Sequence, residues 1–313
     1  MPSPDTFWSH KQAGLRYGFA WCGLGFMRLL VLLPLRWQLR LGKGLGRLAR
    51  PLARNRTEIA RRNLTACFPS APPEQIERLL GDHFASLGAS FVEMAMGWYG
   101  AIDEMRALTE IQGIEHLEHA QAQGRGVVLY SAHLTSFEFF FPTLAMYCGR
   151  LSGMYKEQRN PVMNRAMNAG RGRSVDRLVS KDNVRDMIRE LKRNAVFWYA
   201  SDQTYWGKNA ALIPFFGVPA MTNTAISRIA RKTGAVVLPY FCKRVEPGPR
   251  YVATIGPPLD AFPTDDPAAD TARLVARLEH FLRSCPEQYW WIHQRFKNRP
   301  APLPDFYAAK HAR

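Results

Sequence analysis

His133 and Glu138 are the residues of this chain whose types and spacing point most directly to chemistry; they lie in GVVLYSAHLTSFEFF, residues 126–140. A histidine that takes a proton from a hydroxyl needs a neutral ring held in one tautomer. A carboxylate on its far nitrogen supplies that orientation and stabilises the imidazolium that forms. Five steps along a continuous helix turn about 500° and leave the two side chains roughly 140° apart, so their pairing needs a bend. The apolar run from Gly126 to Tyr130 predicts a buried strand with His133 in the loop at its carboxyl end, and a helix after it supplies the bend. Taken alone, this H-x4-E spacing also fits a structural histidine satisfied in a core. Ser131 and Ser136 raise a nucleophile alternative, but neither lies in a G-x-S-x-G elbow. Asp202 follows the predicted strand AVFWYAS, a second sheet-end position where catalytic groups gather; a cap or turn is its ordinary role.

The elements that must hold these residues read as two regions. Residues 36–123 are predicted as a helical region of about four elements, with periodic leucines in RWQLRLGKGLGRLARPLA and an apolar stripe at 3.6 spacing after Pro72 and Pro73. From residue 124 to 313 short apolar runs alternate with helical patterns, which predicts an α/β region with a largely parallel central sheet flanked by helices. The boundary rests on the Gly124-Arg125-Gly126 turn and the change of period. Gly42 to Arg47 lacks the GxGxxG spacing and follows no predicted strand, so close helix packing is its expected role. Thr271 to Arg299 is predicted as one long helix with an aromatic and basic end.

Residues 1–35 form the third part. Tyr17 to Leu35 is a nearly unbroken apolar stretch carrying Arg28, followed by bulky Arg36, Trp37 and Gln38 and not by a small-residue cleavage site. A membrane span, an interfacial helix whose Arg28 reaches phosphate, and a buried core helix all remain open; the cation-dense flank from Arg36 and Arg40 onward favours a cytoplasmic catalytic body. The fold expected is therefore α/β with an N-terminal membrane-associated helical region. The net charge of +16 calls for an anionic partner: nucleic acid, a phospholipid surface or an acidic protein. No helix-turn-helix, zinc finger or RNP-like sequence supports nucleic acid. Five scattered cysteines exclude a complete disulfide framework, fit a reducing compartment and lack the close spacing of a metal site.

HLTSFE, from His133 to Glu138, resembles the H-x4-D/E motif of the glycerolipid acyltransferase superfamily. ARRNLTACFP (60–69), MYKEQRNPVMNRAMNAGRGRS (154–174), SDQTYWGKNAALIPFFGVPAMTNT (201–224) and YWWIHQRFKNRP (289–300) resemble its late acyltransferases of lipid A biosynthesis. With the N-terminal apolar segment they cover nearly the whole chain in that family's order. The resemblance implies that His133 is the general base and Glu138 its orienting partner, with Arg171 and Asp202 completing the catalytic set. It leaves the choice between Arg171 and Arg173 open and adds Lys156, Arg159 and Gln203 as substrate-binding residues. Phe215 and Phe216, beside Gly217, form a rigid corner suited to an acyl tunnel or to plain core. Trp290, Trp291, Arg295, Lys297 and Arg299 resemble a membrane-interface belt, with core burial of the aromatics as the alternative, and Arg28, Arg36 and Arg40 join them as membrane or phosphate contacts. His293, lacking a carboxylate partner, reads as structural. The donor implied is acyl carrier protein, and the acceptor is a Kdo-bearing lipid A precursor at the cytoplasmic face of the bacterial inner membrane. A lauroyl chain is expected, with ten, fourteen or sixteen carbons open and a related phospholipid or glycolipid acceptor as the alternative, and with no metal and no redox cofactor.

Overall fold

The computed structural model describes residues 17–308, so residues 1–16 of the N-terminal segment lie outside the described part. The apolar stretch folds as α1 (Gly18–Leu30), breaks at Val31–Pro34, and resumes as α2 (Leu35–Ala49). Pro34 cannot donate a backbone bond and holds the residue before it out of helical geometry, which explains the break. Among the described residues no helix is long and apolar enough to cross a membrane. Instead α1, α2 and the turns that follow them leave Phe19, Leu29, Leu32, Trp37, Leu48 and Leu52 exposed. Helices α3 (Arg54–Cys67), α4 (Pro73–Tyr99) and α5 (Ile102–Ala107) complete the helical region. Gly42 and Gly46 sit against Gly88 of α4, and a Cβ at Gly46 would collide with the Phe84 carbonyl; the glycine run is a close helix-packing device, as its sequence suggests.

The α/β layer is β1 (Thr109–Gln112), α6 (Ile114–Ala122), β2 (Val127–Ser131), α7 (Phe137–Ala145), β3 (Leu151–Tyr155), α8 (Pro161–Arg171), β4 (Arg177–Ser180), α9 (Val184–Leu191) and β5 (Val196–Ala200). It continues through the hairpin β6 (Ala210–Phe215) and β7 (Val218–Asn223), then α10 (Ala225–Thr233), β8 (Val236–Val245), β9 (Arg250–Ile255) and α11 (Pro267–Leu282). Seven strands form one sheet in the order β1-β9-β8-β2-β5-β3-β4. Every neighbouring pair is parallel except β8 and β9, so the expected largely parallel sheet is present. β1 lies inside the stretch read as helical; four residues with half-exposed alternation are too short to register as a strand without their partner β9.

Chain direction places the helices. The β2–α7–β3 and β3–α8–β4 crossovers step toward one edge, whereas β4–α9–β5 and β5–α10–β8 step back. Right-handed crossovers therefore put α7 and α8 on one face and α9 and α10 on the other. The packing agrees: α4 covers α7 and α8 and carries α1 and α2, while α10 packs on α9 and α11. All five residues of β2 are buried, as expected for a central strand covered on both faces. The long C-terminal helix expected to Arg299 ends at Leu282; Pro286 forces the chain into a single 3-10 turn, Pro286–Gln288, and the rest is irregular.

Candidate active site

β2 and β5 are paired in register, Ser131 opposite Ala200, so the residues two positions beyond each strand end, His133 and Asp202, arrive side by side. His133 Nδ1 lies 2.7 Å from Asp202 Oδ1, and the His133 backbone N–H donates to Asp202 Oδ2 at 3.1 Å. An ionised carboxylate only accepts, so the Nδ1 proton belongs to this bond and the lone pair sits on Nε2, the form a general base requires. The loop is pinned from behind. Thr135 N–H donates to the Gln288 carbonyl at 2.8 Å, Trp290 N–H to the His133 carbonyl at 3.1 Å, and the Ser86 and Thr135 hydroxyls meet at 2.8 Å.

Asp202 is buried, whereas the His133 side chain keeps 31% of its exposure and lines a cleft of about 680 Å³. Burial works to lower the imidazolium pKa, but the charge and hydrogen bond of Asp202 outweigh it, and the net shift is upward despite the opposing Arg171 charge. For Asp202 burial favours the protonated acid, and the His133 charge and hydrogen bonds together with the Arg295 charge reverse that, holding the carboxyl below its ordinary value. The two shifts describe one buried ion pair that is stabilised when His133 takes a proton.

Glu138 does not reach the His133 ring as its orienting group; that expectation is corrected. It sits in the first turn of α7, where Gly97 lets α4 approach the Glu138 carbonyl, and its carboxylate is held by Arg171 and Trp98. Arg171, the last residue of α8, donates from Nη2 to Glu138 Oε1 at 2.5 Å and from Nε to the same oxygen at 3.0 Å. Trp98 Nε1 donates to Oε2 at 3.2 Å. The five-residue spacing thus delivers a carboxylate to an arginine, and the arginine lies close enough to act on the charge of His133. The two arginines are placed differently: Arg173 donates to the Gly100 carbonyl at 3.0 Å, while Arg171 holds Glu138.

The remaining expected residues divide. Lys156 and Gln203 line the cleft with His133, whereas Arg159 lines a separate depression beside α8. Phe215 and Phe216 are buried against Trp291, and Phe216 also stacks toward Phe68, which is the core alternative. Phe216 takes a positive φ of 49° in the β6–β7 turn, held by its N–H bond to Glu279 at 2.8 Å. The interface belt is corrected in part: Trp291 and Arg295 are buried, Arg295 donating to the Met221 carbonyl and the Thr222 hydroxyl at 2.9 and 2.6 Å, because the irregular C-terminal chain folds inward over β6 and β7. Trp290 and Lys297 are half-buried, and Arg299 donates to the Pro304 carbonyl at 2.7 Å. Arg28 lies over the Tyr99 ring and Arg40 over Trp37; both, with Arg36, are exposed. His293 accepts from the Thr204 N–H at 3.2 Å, and burial pulls its pKa down to about 4. Among the described residues no group of three or more His, Cys, Asp or Glu side chains is arranged to hold a metal ion. Trp98, and Tyr289, whose hydroxyl donates to the Asp202 carbonyl at 3.3 Å, are not among the expected site residues; Tyr289 opens the YWWIHQRFKNRP stretch, and no short motif marks Trp98.

A model of the bacterial lipid A biosynthesis acyltransferase family matches residues 8–298. The chain belongs to that family. It is 33% identical over 293 residues, 93% of this chain and 95% of the relative, to the lipid A biosynthesis lauroyltransferase of Escherichia coli (strain K12). It is equally similar, 33% over 305 residues covering 97% and 99%, to the palmitoleoyltransferase of the same organism. The lipid A biosynthesis acyltransferase of Haemophilus influenzae is 30% identical over 289 residues, 91% of this chain and 92% of that one. The chain is accordingly an O-acyltransferase of lipid A biosynthesis, an enzyme of the bacterial envelope, and His133 with Asp202 and Arg171 with Glu138 are the ionic groups gathered at its candidate centre.

Proposed function

We propose that this acyltransferase moves a lauroyl chain from acyl carrier protein to a hydroxyl of a Kdo-linked lipid A precursor by direct attack, with His133 as base and Asp202 as its orienting carboxylate. The carrying observation is the 2.7 Å bond from His133 Nδ1 to Asp202, which leaves Nε2 as the acceptor of a ring that lines the cleft. A thioester is already activated, so no enzyme nucleophile is needed. Nε2 takes the proton of the acceptor hydroxyl as its oxygen bonds to the thioester carbonyl. The tetrahedral oxyanion collapses, the carbon–sulfur bond breaks, and the imidazolium returns the proton to the departing thiolate. Asp202 offsets the ring charge throughout, and Arg171, fixed by Glu138, supplies a permanent cation for the oxyanion or a lipid phosphate. The proposed chemistry calls on neither a metal nor a redox cofactor.

The proposed place of work is the cytoplasmic face of the inner membrane. In support, the α1–α2 face combines exposed Leu29, Leu32 and Trp37 with exposed Arg28, Arg36 and Arg40, the pattern of an interfacial helix pair on an anionic surface. The test is transfer in mixed micelles from lauroyl acyl carrier protein to the Kdo-bearing tetraacyl precursor, read by mass spectrometry. A single added lauroyl ester is expected; no mass change with an intact thioester refutes the proposal, and preference for another thioester refutes the chain length.

A further inference from the structure

The cleft above His133 is not a plain apolar tunnel. It lies between α9 and α10, on the face of the sheet opposite the one that carries α4 and the apolar α1–α2 pair. Its rim holds four exposed cations, Lys156, Lys181, Arg228 and Lys232, against one acid, Asp182. Asp182 pairs with Lys181 and Arg228 donates to Asn209, whereas Lys156 and Lys232 have no ion pair among the described residues. Below the rim the walls include Gln203, Asn209 and Asn223, side chains that suit amide groups better than an alkyl chain. Ser201 is among the lining residues, and its buried hydroxyl has no hydrogen-bond partner. An unsatisfied buried hydroxyl costs stability unless a ligand completes it. Cations, amide side chains, Ser201 and His133 thus line a single cleft.

We propose that this cleft is the donor channel. The phosphate of the carrier's pantetheine arm rests among Lys156, Lys181, Arg228 and Lys232, its amides lie along the polar walls, and its thioester stops at His133. This rests on the acyl-carrier reading above and adds to it that the rim cations serve the donor, so that the acceptor's phosphates are bound elsewhere. A phosphate and the acidic carrier behind it are the complement of such a rim, and their attraction acts chiefly on encounter and on donor affinity.

The test is steady-state transfer by the full-length Lys181→Glu, Lys232→Glu double variant, varying lauroyl acyl carrier protein and the Kdo-bearing precursor separately at low ionic strength. Expected are a rise of about tenfold or more in KM for the carrier thioester, kcat within threefold of wild type, acceptor KM within twofold, and a wild-type unfolding midpoint. The neutral pair Lys181→Met, Lys232→Met gives a smaller rise in the same constant. A rise confined to the acceptor KM assigns the rim to acceptor phosphates and overturns the proposal, as do two unchanged KM values. Wild-type protein that leaves the carrier thioester untouched overturns the functional reading, and the donor channel with it.

Discussion

Replacing Asp202 with Asn is the sharpest probe of the centre because the structure fixes what each oxygen does. Oδ1 accepts from the ring Nδ1 at 2.7 Å and Oδ2 accepts from the His133 backbone N–H at 3.1 Å. An amide has one oxygen for these two donors. If its NH2 faces the ring, Nδ1 must become the acceptor and the proton moves to Nε2, which abolishes the base. If its NH2 faces the backbone N–H, two buried donors confront each other at a cost of about 1–3 kcal/mol. Either way the negative charge that stabilises the imidazolium is gone. A wrong-tautomer loss of this type is worth about 10^4 in kcat in the serine-protease triad. Because Asp202 is buried and uses both oxygens, a fall of about 10^3 to 10^4, or roughly 4–5.5 kcal/mol of transition-state stabilisation, is expected here. The companion variant Glu138→Gln leaves the Arg171 guanidinium, 13% exposed, without its counter-charge, and should lower the unfolding midpoint, since a broken buried pair costs about 3–5 kcal/mol. The assay is single-turnover transfer beside thermal unfolding for both proteins. An Asp202→Asn enzyme within threefold of wild type refutes the reasoning, and so does a Glu138→Gln enzyme of unchanged stability whose pH profile is the one displaced.

Two further outcomes follow. The base works only when neutral, and its folded pKa is raised above the ordinary histidine value of about 6.5, so kcat/KM should fall as pH drops through a value above about 6.5; Asp202→Asn should move that limb downward, and an upward or absent movement counts against the pair. Replacing exposed Leu29, Leu32 and Leu33 together with Asp should sharply reduce co-sedimentation with anionic phospholipid vesicles while transfer to detergent-dispersed acceptor persists, and undiminished sedimentation would refute the interfacial role of the α1–α2 turn.

The sheet and its loop were legible because their signals are local. VVLYS is a buried run of strand length, and the helical stripe of α4 and the glycines of α2 carry their period and packing on their own. Pro286 would have stopped the long C-terminal helix had its veto been weighed above the surrounding apolar period. The partner of His133 is a different kind of fact. Glu138 is five residues away and Asp202 is 69, so a motif read along the chain favours the near carboxylate. What decides is strand register: with Ser131 opposite Ala200, equal offsets of two carry His133 and Asp202 to the same point, whereas α7 has already turned Glu138 toward Arg171 and Trp98. The β2–β5 pairing and its register were not derivable from either strand, each being buried on both faces and without an alternation to phase it. The two sheet-end residues singled out separately are thus the pair that the sheet brings together. It also separates what one histidine–carboxylate motif had seemed to hold together: Asp202 bonds the His133 ring, and Glu138 anchors a cation beside it.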